Sequence, residues 1–159
     1  MYIRLELVIV GISIIGVYLL IEDDVIHFLE KDRKIYSLVI PSIRFNMDIY
    51  DMDSRLNDVD YNIEILDSSN LESNLFFIAG HSGGGDNCYF NRVKELKSGD
   101  YVYLKNSSEM LVFEIVDRYF IVKNGNMMID EEECNVLYLV TCDMYNGNKQ
   151  FIMKGILVN

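Results

Sequence analysis

The sequence predicts a mainly β domain, a mostly antiparallel barrel or sandwich, after an apolar N-terminal segment. Roughly seven or eight runs from residue 36 onward are rich in the β-branched, aromatic and aliphatic residues that strands prefer. One segment alone, residues 87–100, places apolar residues at a clear helical spacing. Strands and long helices do not alternate along the chain, which argues against a parallel sheet.

Composition limits the size of the protein and the partners it can bind. The chain has 159 residues, enough for one domain with its own core. Hydrophobic residues make up 50% of it, which argues against disorder. The net charge is −11, which argues against nucleic acid as a partner, because phosphate binding needs clustered Lys and Arg.

Residues 1–24 are predicted to be an N-terminal membrane anchor. The run 7–21 carries no charge and, with its flanks, approaches the ~20 residues that a spanning helix needs. Arg4 precedes it and the acidic run 22–24 follows it, so the positive-inside rule places the N-terminus in the cytoplasm and the domain outside a single-pass anchor. A cleaved signal peptide would need small residues at its cleavage site, but the only alanine is Ala79. A buried core helix remains an alternative, although it would normally have a polar face.

The elements after the anchor follow in order. Residues 25–35 are predicted to form an amphipathic linker helix in which His27 is solvated, so the β domain spans residues 36–159. Pro41 separates two apolar runs, which predicts an edge strand or a bend. Phe90, spaced helically with Val93 and Leu96, predicts a short helix that ends at Gly99. Further strands are predicted in residues 45–53, 61–66, 74–80, 101–106, 109–123, 135–141 and 149–158.

The three cysteines, Cys88, Cys134 and Cys142, exclude two common site types. No pair has the C-x-x-C spacing, so neither a zinc ribbon nor a thioredoxin-type motif is supported. In an exported chain three cysteines leave at least one thiol unpaired. The unpaired thiol is either an inert buried residue or a reactive one.

The sequence contains only weak matches to metal-binding and phosphate-binding motifs. The stretch 48–58 fails the EF-hand order, because Arg55 occupies a ligand position and no glycine follows. The acidic run 130–133 is interpreted as a solvated turn, with a weak surface calcium site as the minority alternative. The glycines at 83–85 precede no G-K-[ST], so they are assigned to backbone freedom beside His81 rather than to phosphate binding. No metal or cofactor is otherwise predicted.

His81 and Cys142 each end an apolar strand. If those strands are neighbours, the imidazole and the thiol meet at one rim of the sheet. The imidazole can then take the thiol proton, and the thiolate can attack an amide to form a thioester that water or an amine opens. A third group must stabilise the oxyanion.

Four segments resemble the sortase family. "IAGHS" at 78–82 resembles its histidine motif, and "LYLVTC" at 137–142 resembles its cysteine motif, with Val140 where threonine or serine is common. "FNRVKELKSGDYVYL" at 90–104 and "LVIPSI" at 38–43 resemble the helix after the histidine and the opening strand. The resemblance covers residues 36–158, and an N-terminal anchor is also usual in the family.

The resemblance implies an eight-stranded closed β-barrel with short helices, on the surface of Gram-positive-type bacteria. It implies a thiol transpeptidase that cleaves a Leu-Pro-X-Thr-Gly-like sorting signal on surface proteins and transfers them to a cell-wall or pilin amine. By carry-over Cys142 is the nucleophile and His81 the acid/base. Thr141 is expected to line the substrate pocket, with Ser82 and Lys149 as further substrate-binding candidates.

One position departs from the family pattern. Sortases carry an arginine on the last strand, where this chain has Gln150 with Lys149 beside it, and no arginine follows Arg118. Glutamine offers a neutral amide in place of a charged fork of donors. We therefore expect that Gln150 replaces the arginine as the oxyanion donor, that Lys149 or another residue helps, or that the enzyme is slow or inactive.

Three hypotheses follow. The first is an active cysteine transpeptidase. The second is a degenerate sortase that binds sorting signals without turnover. The third is an anchored β-domain whose Cys142 thiol is structural, for example in a disulfide with Cys88 or Cys134. The pilin-polymerising subgroup is less expected, because neither a C-terminal membrane segment nor an N-terminal lid is evident.

Overall fold

The computed structural model describes residues 32–123, 134–143 and 146–158. The predicted anchor, the first part of the linker helix and the acidic run 130–133 lie outside these ranges. Over the described ranges, no helix is both long enough and apolar enough to cross a bilayer.

The described chain contains eight strands. They are β1 (Lys34–Ile40), β2 (Phe45–Tyr50), β3 (Glu64–Ile65), β4 (Leu75–Ala79), β5 (Tyr101–Lys105), β6 (Met110–Val122), β7 (Val136–Cys142) and β8 (Lys149–Leu157). Three short 3₁₀ helices connect them, at Pro41–Ile43, Leu71–Ser73 and Tyr89–Glu95. The mainly β class predicted from the sequence is confirmed.

The strands form one curved sheet in the order β2-β1-β5-β6-β8-β7-β4-β3. The barrel is nearly closed rather than closed, because no strand ladder joins β2 to β3 at the two ends of the sheet. A side chain bridges this seam instead: the Asn62 amide donates to the Asp48 carbonyl of β2 at 2.9 Å. Since Asn62 is buried, this bond satisfies a backbone acceptor on an edge strand.

One strand pair is parallel in an otherwise antiparallel sheet, so the predicted mostly antiparallel arrangement is confirmed. β4 runs parallel to β7, whereas the other neighbouring pairs are antiparallel. Both strands are apolar at nearly every position and buried on both faces, as parallel strands usually are. Their ends therefore point the same way, and this brings two distant segments to one rim.

The side chains of β4, β7 and β8 divide between two apolar layers. Phe76, Ile78, Leu137 and Leu139 face the barrel core. The opposite face carries a second layer, the outer apolar layer, in which the Phe77 and Tyr138 rings stack with centroids 4.7 Å apart. Its buried members are Leu75, Phe77, Val136, Tyr138, Val140 and Ile152.

Two local predictions need correction. Lys34 and Ile35, assigned to the end of a linker helix, belong to β1 instead, because Lys34 pairs with Tyr50 and its ammonium contacts Asp48. The helix predicted within 87–100 is a 3₁₀ helix, Tyr89–Glu95, and its apolar residues are buried as expected. Pro41 begins the 3₁₀ turn between β1 and β2, as the bend prediction required.

Candidate active site

His81 and Cys142 lie at the same end of neighbouring strands. The last paired residues of β4 and β7 are Ala79 and Val140. The Gly80 amide then extends the ladder by donating to the Val140 carbonyl at 3.1 Å. Cys142 is the last residue of β7, and alternation places its side chain on the outer face with Val140, whereas His81 follows two residues after the end of β4 at the same rim. The predicted adjacency of these two strands is confirmed.

Two side-chain hydrogen bonds join the strand ends. The Thr141 hydroxyl donates to the Gly80 carbonyl at 2.7 Å, and the Ser82 hydroxyl donates to the Cys142 carbonyl at 2.6 Å. Thr141 is only 3% exposed and belongs to the core-facing side of β7. Thr141 and Ser82 therefore hold the backbone on both sides of the candidate pair. Direct substrate binding by either residue stays a prediction.

Gly80 allows the chain to turn from β4 into the histidine loop. A Cβ at this position would lie 2.6 Å from the Phe90 ring, which is fully buried. The Phe90 amide donates to the His81 carbonyl at 2.9 Å, so this ring and His81 are held by the same segment. Only glycine leaves room for that approach.

The imidazole of His81 has a carboxylate partner. Its Nε2 lies 3.0 Å from Asp60 Oδ1, in the loop between β2 and β3, and the His81 side chain is 36% exposed. Among the described residues the imidazole bonds to Asp60 and not to Cys142. Catalytic hydrogen bonds often tighten only when substrate binds. Nδ1 is the ring nitrogen left for the thiol.

Gln150 lies directly across from Cys142 in the β7–β8 ladder. The Asp143 amide donates to the Lys149 carbonyl at 2.9 Å, so the neighbouring Cys142–Gln150 pair is of the non-hydrogen-bonded type, in which facing side chains are closest. Gln150 is half-buried, whereas Lys149 is exposed. Because strand residues alternate, Gln150 shares the face of Cys142 and Lys149 does not.

The floor beside these residues is apolar. One row across the outer face contains Tyr119, Ile152, Val140 and Ala79, and it continues to Glu64 of β3. Burial raises the pKa of Glu64, and the negative charge of Asp58 adds to the effect. The row therefore begins on an apolar surface and ends at a carboxyl group whose charged form is disfavoured.

Cys88, Cys134 and Cys142 are all free thiols, so the structure does not support the disulfide hypothesis. Cys88 lies in the loop after His81, packed beside Gly83 and Gly85. Within the described parts of the chain, no three metal-ligating side chains cluster.

Sequence reasoning missed Asp60. It lies in an irregular loop far from His81 along the chain, and neither periodicity nor a local motif marks it. Asp60 and His81 come together only because the loop 58–62 packs against the histidine loop. The side-chain amide of Asn87 joins the two loops by donating to the Asp60 carbonyl at 3.1 Å.

Comparisons with known proteins agree with this geometry. A family model described as the Sortase domain matches residues 38–158, more than half of the chain. No curated protein matches the chain.

Several solved sortases share the fold. Sortase A from Corynebacterium diphtheriae superposes with a TM-score of 0.67 at 20% identity, covering 80% of this chain and 62% of that one. Pilus-related Sortase C of Group B Streptococcus gives 0.66 at 20% identity, with 79% and 68% covered. Sortase A of Listeria monocytogenes gives 0.68 at 21% identity, with 80% and 89% covered. The chain thus spans less than two thirds of the Corynebacterium protein, and identities this low show the fold alone.

Proposed function

This chain belongs to the sortase family, and we propose that it is a cysteine transpeptidase that cleaves a C-terminal sorting signal of the Leu-Pro-X-Thr-Gly type. It transfers the cleaved surface protein to an amine of the cell wall or of a pilin. The observation that carries this proposal is the register of the parallel β4–β7 pair, which brings His81 and Cys142 to one rim of the sheet.

The reaction begins at the thiol. His81 Nδ1 takes the Cys142 proton, and the thiolate attacks the threonine carbonyl carbon of the signal, forming the C–S bond and an oxyanion. Collapse of this intermediate breaks the C–N bond, and the imidazolium returns its proton to the leaving glycine nitrogen. The products are a thioester on Cys142 and the released peptide.

In the transfer step the protons move in the opposite direction, from the acceptor amine to His81 and then to the Cys142 sulfur. An acceptor amine attacks the thioester carbonyl and loses a proton to His81. The C–S bond then breaks, the amide forms, and the thiolate regains the proton from the imidazolium. Water in place of the amine would give hydrolysis.

Gln150 is the oxyanion donor in this scheme. Its place opposite Cys142 and on the same face supports it over Lys149, whose side chain alternates to the other face. A side-chain amide has two N–H groups to offer, although it lacks the charge of arginine. Lys149 remains a candidate for contacts with the substrate at the rim.

The partly exposed residues packed against the outer apolar layer provide the binding surface for the signal. They include Ala79, Tyr119 and Ile121, whereas Val140 and Ile152 are buried beneath them. An apolar strip suits the leucine and proline that precede the scissile bond, because burying their side chains removes apolar surface from water.

The proposed location follows from the charge pattern of the first residues. Residues 1–24 anchor the protein in the cell membrane and residues 36–159 lie outside, where surface proteins and cell-wall amines meet the site. The second candidate, a domain that binds sorting signals without turnover, is favoured by one observation: the neutral Gln150 opposite the thiol.

The test uses the full chain in detergent with a panel of sorting-signal peptides and glycine-based amines. Mass spectrometry is expected to find an acyl group on Cys142 and an amide product, both absent from Cys142→Ala. Cys88→Ala is the matched control, because it removes a thiol from the neighbouring loop and should keep both signals. Peptide binding without adduct or product across the panel would favour the second candidate.

A further inference from the structure

Asp60 holds one nitrogen, Nε2, of the His81 imidazole. The 3.0 Å contact joins Asp60 Oδ1 to Nε2, and a carboxylate can only accept, so Nε2 carries the proton in this bond. The neutral ring then has its lone pair on Nδ1, the nitrogen that must remove the thiol proton. The contact therefore selects the tautomer that the proposed reaction needs.

Bonds on both sides of Asp60 keep the carboxylate in place. The Asp60 amide donates to Asp58 Oδ1 at 2.8 Å, and the Asp60 carbonyl accepts from the Asn87 amide at 3.1 Å. Asn87 belongs to the segment that follows His81, so its side-chain amide adds a second bond between the two loops beside the His81–Asp60 contact. Asp60 itself is 72% exposed, which keeps its electrostatic effect modest.

Gln150, the residue opposite Cys142, is neutral, and this gives the Asp60 carboxylate a role. When the thiol transfers its proton, a thiolate and an imidazolium form side by side, and Gln150 adds no positive charge to the described part of the site. The imidazolium is then the positive charge beside the thiolate, and the Asp60 carboxylate holds this ring in one orientation through Nε2.

We propose that Asp60 is a positioning residue for the transpeptidation, which orients His81 and fixes its tautomer through Nε2. This inference rests on the proposed function. It makes the site a thiol–imidazole–carboxylate arrangement, in which the third member comes from the loop between β2 and β3.

The experiment combines a spectroscopic and a kinetic measurement on the full chain in detergent. The chain has 2 histidines, so ¹⁵N-histidine labelling gives few signals, and His27→Gln assigns them. The Nε2–H proton of His81 is expected to be visible in the wild type and lost to water exchange in Asp60→Ala. Asp86→Asn is the matched control, since it removes an exposed carboxylate from the histidine loop and should keep the signal.

The rate of Cys142 alkylation by iodoacetamide, followed by peptide mass spectrometry, is expected to fall about fivefold in Asp60→Ala near pH 7. Asp60→Glu should restore most of it and Asp86→Asn should not lower it. Where peptide transfer is measured, kcat should fall with KM unchanged. An unaltered Nε2–H signal and alkylation rate in Asp60→Ala, or an equal loss in Asp86→Asn, would overturn the inference. If the Nε2–H signal is lost and the alkylation rate falls in Asp60→Ala but not in Asp86→Asn, the inference is supported. This holds even where no peptide is transferred, in which case only the proposed function fails.

Discussion

The Thr141 hydroxyl donates to the Gly80 carbonyl at 2.7 Å across the parallel β4–β7 pair. Each of these residues directly precedes one member of the candidate pair, so this buried bond sets the spacing between His81 and Cys142. The threonine of the cysteine motif and the glycine of the histidine motif thereby have a shared physical reason to be present.

Replacing Thr141 by valine keeps its shape and removes the hydroxyl. The Gly80 carbonyl then loses a buried partner, which should lower the free energy of unfolding by about 1–3 kcal/mol. Cys142 alkylation should slow as well, because the strand ends are no longer tied. Denaturant midpoints and alkylation rates measure the two effects. Thr141→Ser keeps the hydroxyl and should retain the alkylation rate; equal losses in both variants would contradict the role of the bond.

Gly80→Ala should damage both stability and the site. The added Cβ would lie 2.6 Å from the buried Phe90 ring, and such overpacking typically costs about 1–3 kcal/mol. The shift needed to relieve it moves the adjacent His81. Gly84→Ala is the control, because no atom lies within 4 Å of a Cβ there, and its denaturant midpoint should change little. A denaturant midpoint in Gly80→Ala equal to that of the wild type would contradict this prediction, because it would show that the Phe90 ring moves at little cost.

Gln150→Ala should lower kcat for transfer by about 10²–10³, the usual loss when one oxyanion donor is removed. Thiol alkylation, which forms no oxyanion, should be nearly unchanged. Lys149→Ala should reduce kcat much less, because its side chain alternates away from Cys142. Steady-state transfer assays compare the variants, and a larger loss in Lys149→Ala would reverse the assignment.

Glu64→Gln should stabilise the protein near neutral pH. The pKa of Glu64 is raised by burial, so its stabilising effect is present below the ordinary carboxyl pKa and is lost as pH rises through the raised value. At pH 7 the folded state holds a disfavoured charge that glutamine removes, whereas near pH 4 the group is largely protonated and the gain should shrink. Denaturant midpoints at the two pH values test this. Glu72→Gln removes an exposed charge and should show no such pH-dependent gain.

The local pattern was sufficient to predict the mainly β class and most strand positions. Short apolar runs bounded by polar turns identify strands because side chains alternate along them and bury one or both faces. The same reasoning placed His81 just beyond one strand and Cys142 at the end of another, and the family motifs pointed to their roles. It misjudged the 3₁₀ helix and the start of β1, where local spacing fits more than one backbone conformation.

The sequence by itself identified His81 and Cys142 as candidate residues and placed each at a strand end. Only the tertiary structure decided that β4 and β7 pair in parallel, that Gln150 faces Cys142, and that Asp60 reaches His81. These relationships join segments far apart along the chain, and strand register is set by how two apolar layers are buried together. No local spacing of residues encodes that choice.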